Sequence, residues 1–333
     1  MGNSATSGTM RAAVRTSSGI EFREDYPSAI DAKLKRGEVL VRVRAAAINP
    51  VDYKVGKMIL GPVAGLDLAG EVVRVSEGST TLKVGDSVFG TARGSLADYV
   101  IAKETYLARK PDSLSFEKAA AMPTVYLTGL QGLQRGKIDT LDSSAARVLI
   151  IGASGGCGTA AVQLAAHGFK AGFVCGICSG KNAEYVRSNG AHEVLDYREE
   201  NFFQNAHFSQ SEDEKFDIIY DAATNSGKGE DYKSWSLDRL KSNGQYVAIN
   251  GSAWMWMRLL TGIGQKRNQH LFVTNANTRD LETLGEYASE DVVSPVIMQT
   301  LPFSAEGVQD AFSLLKSRRV VGKLVFTVNE AAQ

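Results

Sequence analysis

Three glycines, Gly152, Gly155 and Gly158, stand at a spacing that suits the holding of a pyrophosphate, although a glycine-rich loop can also be a plain turn. A turn that brings backbone N–H groups against phosphate oxygens needs glycine for the tight bend, for close approach, and for packing the next helix on the preceding strand. The run Gly152, Ala153, Ser154, Gly155, Gly156, Cys157, Gly158 leads into a helical pattern whose free N–H groups and positive dipole end favour an anion. About twenty residues further on, a site that grips an unphosphorylated ribose carries Asp or Glu. Here the chain offers Cys178, Ser179, Gly180 and Lys181 instead. A hydroxyl and an ammonium suit a ribose 2′-phosphate, which points to NADPH as cofactor. The plainer alternative makes Lys181 a solvated residue at a helix start.

Cys157 lies between the second and third glycines. It is either a thiol made reactive by the helix N-terminus or a small apolar group packed under the helix. Cys175 and Cys178 form a C-x-x-C, but in a strand residues three apart point to opposite faces, which argues against a disulfide or a shared metal.

The elements around these residues are legible. Val148–Ile151 is too short an apolar run for a buried helix and reads as a strand buried on both faces. Further strands are expected at 172–177, 193–195, 216–220, 245–249 and 271–273. Helical stretches lie between most of them, as at Lys181–Ser188 ahead of Asn189-Gly190. Six strands with crossovers make a doubly wound parallel sheet. Before this region the signals are strand and turn. Glu38–Arg44 alternates, Gly70–Val75 repeats the theme, and Lys83–Asp86 turns the chain into Ser87–Gly90. Short strands with little helix suggest a partly open barrel.

The 333 residues carry 37 basic and 37 acidic side chains, so no net charge favours nucleic acid or an anionic membrane as partner. No apolar run is long enough to span a membrane. Three cysteines make no disulfide framework and suit a reducing compartment, the cytoplasm in the simplest case. Residues 1–10 read as a flexible leader. Gly2 and Thr6 match a myristoylation pattern, but one acyl chain without a basic cluster anchors only marginally.

A set of motifs then narrows the family. Ala47-Ile-Asn-Pro-Val-Asp-Tyr-Lys54, Gly65-Leu-Asp-Leu-Ala-Gly-Glu71, Val84-Gly-Asp-Ser-Val-Phe-Gly90 and Gly94-Ser-Leu-Ala-Asp-Tyr-Val100 resemble the medium-chain dehydrogenase/reductase superfamily. Within it they are similar to the zinc-free, zeta-crystallin-like quinone oxidoreductases and their enone-reductase relatives. The likeness continues through Ala119-Ala-Ala-Met-Pro123, Leu127-Thr-Gly-Leu130, the glycine loop, Gly190-Ala-His-Glu-Val-Leu-Asp-Tyr197 and Gly322-Lys-Leu-Val325. It implies an α/β protein with a GroES-like, partly open β-barrel catalytic domain over 11–122 and 293–333. A doubly wound Rossmann domain with a six-stranded parallel sheet would cover 123–292.

The resemblance also assigns residues. Zinc branches place a cysteine and a histidine where this chain has Asn49 and Leu66, so no metal is expected. Without a Lewis acid to hold an alkoxide, the substrate shifts from a simple alcohol to a quinone or an enone. Asn49, Asp52, Tyr53 and Lys54 would face the nicotinamide in the interdomain cleft. Asn49 could donate to a quinone oxygen, while Tyr53 or Lys54 could orient substrate or ribose and relay a proton. Alternatively, Asp52 and Lys54 are a structural pair at a turn. Tyr197, Thr128, Asn250, Gly251, Phe272 and Val273 match positions that line the cofactor. Trp254-Met-Trp-Met257 either caps the substrate as a soft apolar surface or belongs to a core or subunit interface. The family also includes proteins used as cofactor-loaded scaffolds, and many members form homodimers.

Overall fold

A computed structural model describes residues 8–78, 81–200, 202–204, 208, 211–224, 232–251, 257, 261 and 267–329. The chain forms two compact units. Unit 1 takes Met1–Thr124, Ala276–Ser289 and Pro295–Gln333, and unit 2 takes Val125–Asn275 and Glu290–Ser294. Among the described residues no helix is long and apolar enough to cross a membrane. Gly2, Thr6 and the run 254–256 lie outside the described residues.

Unit 1 is built of strands. β1 (Thr9–Arg15) pairs antiparallel with β2 (Ile20–Pro27). The strand thus starts within the stretch read as a leader, because Met10 is buried in a small cluster with Ala12, Val63 and Ala97. β3 (Glu38–Ile48) outruns the alternating segment seen in sequence, since Ala45–Ile48 are all buried and continue it. β4 (Asp67–Val75), β5 (Ser87–Thr91), β6 (Tyr99–Lys103) and β7 (Leu107–Arg109) follow. Two strands from the far end of the chain, β14 (Ile297–Pro302) and β15 (Lys323–Thr327), complete a seven-stranded sheet.

β3 organises that sheet. Along one edge it pairs with β4, and its other edge is divided: Glu38–Arg42 face β6, while Ala45–Ile48 face β15. The inward side chains, among them Val41, Val43, Leu68, Val88, Leu96 and Phe326, form the unit's core with the helix Ala305–Lys316. The side chain of Ser304 caps that helix by accepting from the Gly307 N–H. The helix Thr278–Ser289 also belongs to unit 1, because Gly285 packs it closely against Phe89 and Pro111.

Unit 2 holds β8 (Arg147–Ile151), β9 (Phe173–Cys178), β10 (Glu193–Asp196), β11 (Phe216–Asp221), β12 (Leu240–Ala248) and β13 (Gln269–Leu271). All pair parallel in the order β10-β9-β8-β11-β12-β13, the doubly wound order with its switch point between β8 and β11. Val148 to Ile151 are fully buried, as their apolar run requires. The largest boundary shifts are in β12, which begins five residues before the expected 245, and in β13, which spans Gln269–Leu271 and leaves Val273 outside the sheet and 66% exposed. Cys175 and Cys178 are free, buried thiols on β9. Burial pushes the Cys175 thiol well up, and burial with the nearby Asp196 carboxylate pushes Cys178 up to about 11.

Candidate active site

The glycine loop leaves the C-terminal end of β8. Gly152 has φ +81°, a conformation that favours glycine, and its N–H and that of Ala153 each donate to the Ile177 carbonyl at 3.0 Å. The loop then closes on itself, with the Gly155 N–H 3.1 Å from the Gly152 oxygen. The helix Gly156–Gln163 starts so close to this turn that a Cβ on Gly158 would lie 2.1 Å from the Gly152 oxygen. Only glycine permits that approach, which leaves the helix N-terminus open beside the loop backbone. Cys157 is half-buried within it. The cradle fits a dinucleotide pyrophosphate: its walls are backbone, a side chain at Gly158 would fill it, and its dipole end favours an anion.

The other residues assigned to cofactor binding lie along the same sheet edge. Ser179 follows β9, and its hydroxyl is buried without a hydrogen-bond partner. Gly180–Asn182 form a single 3-10 turn that carries the exposed Lys181. The Asn182 amide donates to the Ser154 hydroxyl at 3.1 Å, tying this turn to the glycine loop. Tyr197 follows β10 and is exposed, with the Arg198 guanidinium over its ring. Asn250, before Gly251, donates to the Ala222 carbonyl at 3.1 Å. Phe272 is buried, and the Thr128 hydroxyl meets Thr274 at 2.6 Å. The structure therefore brings the scattered cofactor candidates to the carboxyl ends of the parallel strands, where ligands of such sheets bind.

The second set of candidates belongs to unit 1. Asn49 follows β3 and is 3% exposed. Its side-chain oxygen accepts from the Lys323 ammonium at 2.6 Å, and its amide nitrogen donates to the Asp67 carboxylate at 2.8 Å. Lys323 also reaches the Ile48 carbonyl at 3.0 Å and Asp67 at 3.1 Å. Asp67 takes a further bond from the Thr124 N–H at 2.9 Å. Asn49 is thus oriented by a cation on one side and an anion on the other.

Asp52 lies in the short helix Pro50–Lys54 and is fully buried. Its carboxylate accepts the Asn49 backbone N–H at 2.8 Å, closing the helix start. Its other oxygen has no hydrogen-bond partner and stands 3.8 Å from the Arg15 guanidinium. Burial pushes the Asp52 carboxyl up to about 7. The Asn49 N–H opposes the rise, the Asp67 charge adds to it, and Lys323 and Arg15 oppose it. The ionic neighbour of Asp52 is thus Arg15, in place of the Asp52–Lys54 pair considered from the sequence. Tyr53 packs against the core of unit 1, and the Lys316 ammonium lies 5.9 Å from its ring centroid. Lys54 is exposed, its pKa lowered by partial burial and by the nearby Arg318.

Several residues of these clusters had no role in the sequence reading. Asp67 and Lys323 sit inside motifs that carried the resemblance, each a charge at the start of a strand and directly before a small or apolar run, Leu68–Gly70 and Leu324–Phe326, and that contrast was the available signal. Arg15 gave none, because its partners Asp52, Gly61 and Val63 are remote in sequence. Asp196 lies in the quoted run 190–197, but that it meets the turn after β9 follows only from the pairing of β10 with β9. Among the described residues no group of three His, Cys, Asp or Glu side chains gathers as metal ligands could.

Comparison with known proteins agrees with this architecture. Residues 35–112 match the family described as alcohol dehydrogenase GroES-like domain, and residues 189–326 match the family described as zinc-binding dehydrogenase. The chain is 35% identical over 309 residues to a 2-methylene-furan-3-one reductase of Solanum lycopersicum, covering 88% of this chain and 72% of that protein. It is 31% identical to an NADPH-dependent alkenal/one oxidoreductase of Arabidopsis thaliana, over 92% of this chain and 76% of the relative. A solved quinone oxidoreductase of Coxiella burnetii superposes with a TM-score of 0.81 at 28% identity, covering 96% of this chain and 99% of its own. A GroES-like unit and a six-stranded Rossmann unit in one chain define a nicotinamide-dependent oxidoreductase. The chain belongs to the medium-chain dehydrogenase/reductase superfamily, in its zinc-free quinone oxidoreductase branch.

Proposed function

We propose that this protein is a zinc-independent, NADPH-dependent reductase of conjugated electrophiles, with a quinone as acceptor. The observation that carries the cofactor reading is the glycine cradle of Gly152–Gly158 joined through Ser154 and Asn182 to a turn bearing an unpartnered Ser179 hydroxyl and the Lys181 ammonium. NADPH, when bound, supplies a hydride. The chain's own part is to hold the pyrophosphate on backbone N–H groups, to meet the 2′-phosphate with Ser179, Lys181 and Tyr197, and to orient the acceptor. Tyr53 and Lys54 are the groups proposed to orient substrate and move a proton. Asn49, held between Lys323 and Asp67, sets the backbone from which they project. Asp52 fixes the helix start that carries them.

The second reading is reduction of an α,β-unsaturated carbonyl at the same site, favoured by the names of the tomato and Arabidopsis relatives. Both acceptors are conjugated and take hydride without a Lewis acid, which fits positions 49 and 66 holding Asn and Leu. The free cysteines support a reducing compartment such as the cytoplasm, while the Arabidopsis relative is named as chloroplastic.

NADPH consumption over a panel of quinones and enones tests the reading. Turnover with conjugated acceptors, unchanged after treatment with a chelator, is the expected result. Nucleotide binding with no turnover on any acceptor would instead assign the protein to a scaffold role. Loss of activity on removal of one tightly held zinc per chain would overturn metal independence.

A further inference from the structure

Strands β9 and β10 end level with each other, Cys178 being the register partner of Asp196. Past β9 the chain turns through Ser179 and Gly180, and a Cβ on Gly180 would lie 2.2 Å from Asp196 Oδ2. The carboxylate therefore rests against the backbone of the turn that follows β9. One of its oxygens accepts the Arg198 N–H at 2.9 Å, and the other makes no hydrogen bond among the described residues. Beside it the Ser179 hydroxyl is buried and also lacks a partner. The Asn182–Ser154 bond places this turn against the glycine loop. A carboxylate thus stands against the turn that follows the second strand, contributed from the end of the third.

We propose that Asp196 is a specificity-determining residue that faces the ribose 2′-position of the bound nucleotide. Its free oxygen accepts from a 2′-hydroxyl and opposes a 2′-phosphate, while Lys181 pulls the other way. The chain then binds NADH as well as NADPH, with a preference set by the balance of these two charges. This rests on the glycine loop being the nucleotide site. It goes beyond that reading by assigning a second nucleotide to it and a residue that admits it.

Dissociation constants of NADPH and NADH for the full-length protein, read by nucleotide fluorescence with no acceptor present, decide the matter. Asp196→Asn keeps an acceptor for the Arg198 N–H and so preserves the turn. It is expected to shift the affinity ratio towards NADPH by about tenfold, chiefly by weakening NADH, and Lys181→Ala is expected to shift it the opposite way. A ratio unmoved by Asp196→Asn but moved by Lys181→Ala overturns the proposal and leaves the NADPH reading intact. If the unaltered protein binds neither nucleotide, or Gly158→Ala leaves both affinities unchanged, both ideas fall.

Discussion

The molecule carries two polar clusters of opposite character. Around Asn49 in unit 1, buried Lys323, Asp67 and the Ile48 carbonyl and half-buried Thr124 satisfy one another. Along the strand ends of unit 2, the Ser179 hydroxyl and one Asp196 oxygen have no partner among the described residues, Lys181 is exposed, and the helix beginning at Gly156 opens beside the loop. A closed network spends its hydrogen bonds on holding the fold. An open one keeps them for a ligand. Substitutions in the first cluster should therefore be felt in stability, and those in the second in binding.

The largest effect is expected where the closed cluster is broken at its cation. Lys323→Met leaves Asp67 buried without its ammonium and removes the donor to Asn49 and Ile48. Loss of one partner of a buried ion pair costs about 3–5 kcal/mol. Urea unfolding should show this, and a change below about 1 kcal/mol would mean that the cluster is not closed in the sense described.

On the open side, Gly158→Ala drives a methyl into the Gly152 carbonyl oxygen, and the loop must move to admit it. Overpacking of this kind costs about 1–3 kcal/mol, but the clearer signature is loss of nucleotide affinity by at least about tenfold. Calorimetric titration that finds affinity retained would show that the loop is only a turn.

Asp52 allows a finer separation, because it belongs to the closed region yet has one unsatisfied oxygen. Its folded-state pKa, pushed up to about 7, lies above the ordinary carboxylate value. The folded chain thus keeps a proton that the unfolded chain releases. The contribution of this group to stability is greatest at low pH and falls as pH rises through the window from about 4 to about 7. Asp52→Asn should flatten the pH dependence of unfolding across that window by no more than about 1.4 kcal/mol per pH unit. A profile that keeps its slope in the variant would assign the titration elsewhere.

The smallest effect concerns the thiols. Cys157 is half-buried in the open loop, whereas Cys175 and Cys178 are buried with their pKa values pushed up. A thiol reagent should label Cys157 first, nucleotide should slow it, and Cys157→Val should resist inactivation. Equal labelling with and without nucleotide would place Cys157 away from the ligand.

The two clusters also differ in how far the sequence revealed them. The glycine loop, β8 and the alternation of strand and helix were legible because each is a local pattern: four apolar residues, three spaced glycines, a helix after a turn. Ser179 and Lys181 could be found by counting from the loop. Asp196 could not, because its role follows from β10 lying beside β9, a matter of sheet order. In unit 1 the short strands were visible, and so was the candidate stretch Asn49–Lys54. The partners of Asn49 were not, since Lys323 lies 274 residues away and enters only through the pairing of β15 with β3. The end of β13 was misplaced because Phe272 is buried like a strand residue while the sheet pairing stops at Leu271.

The divided edge of β3 has a consequence for the order in which the protein takes shape on the ribosome. Unit 2 is nearly continuous in the chain, but β3 cannot fill its edge until Lys323–Thr327 has been made, some 200 residues after Thr124. At about 5–20 residues per second, translation leaves the first unit without that strand for roughly 10–40 s. Through that interval Ala45–Ile48 present an unpaired apolar edge of the kind that invites wrong partners, and Asp67 waits for its ammonium. The last strand to emerge closes the edge and neutralises the carboxylate in one step.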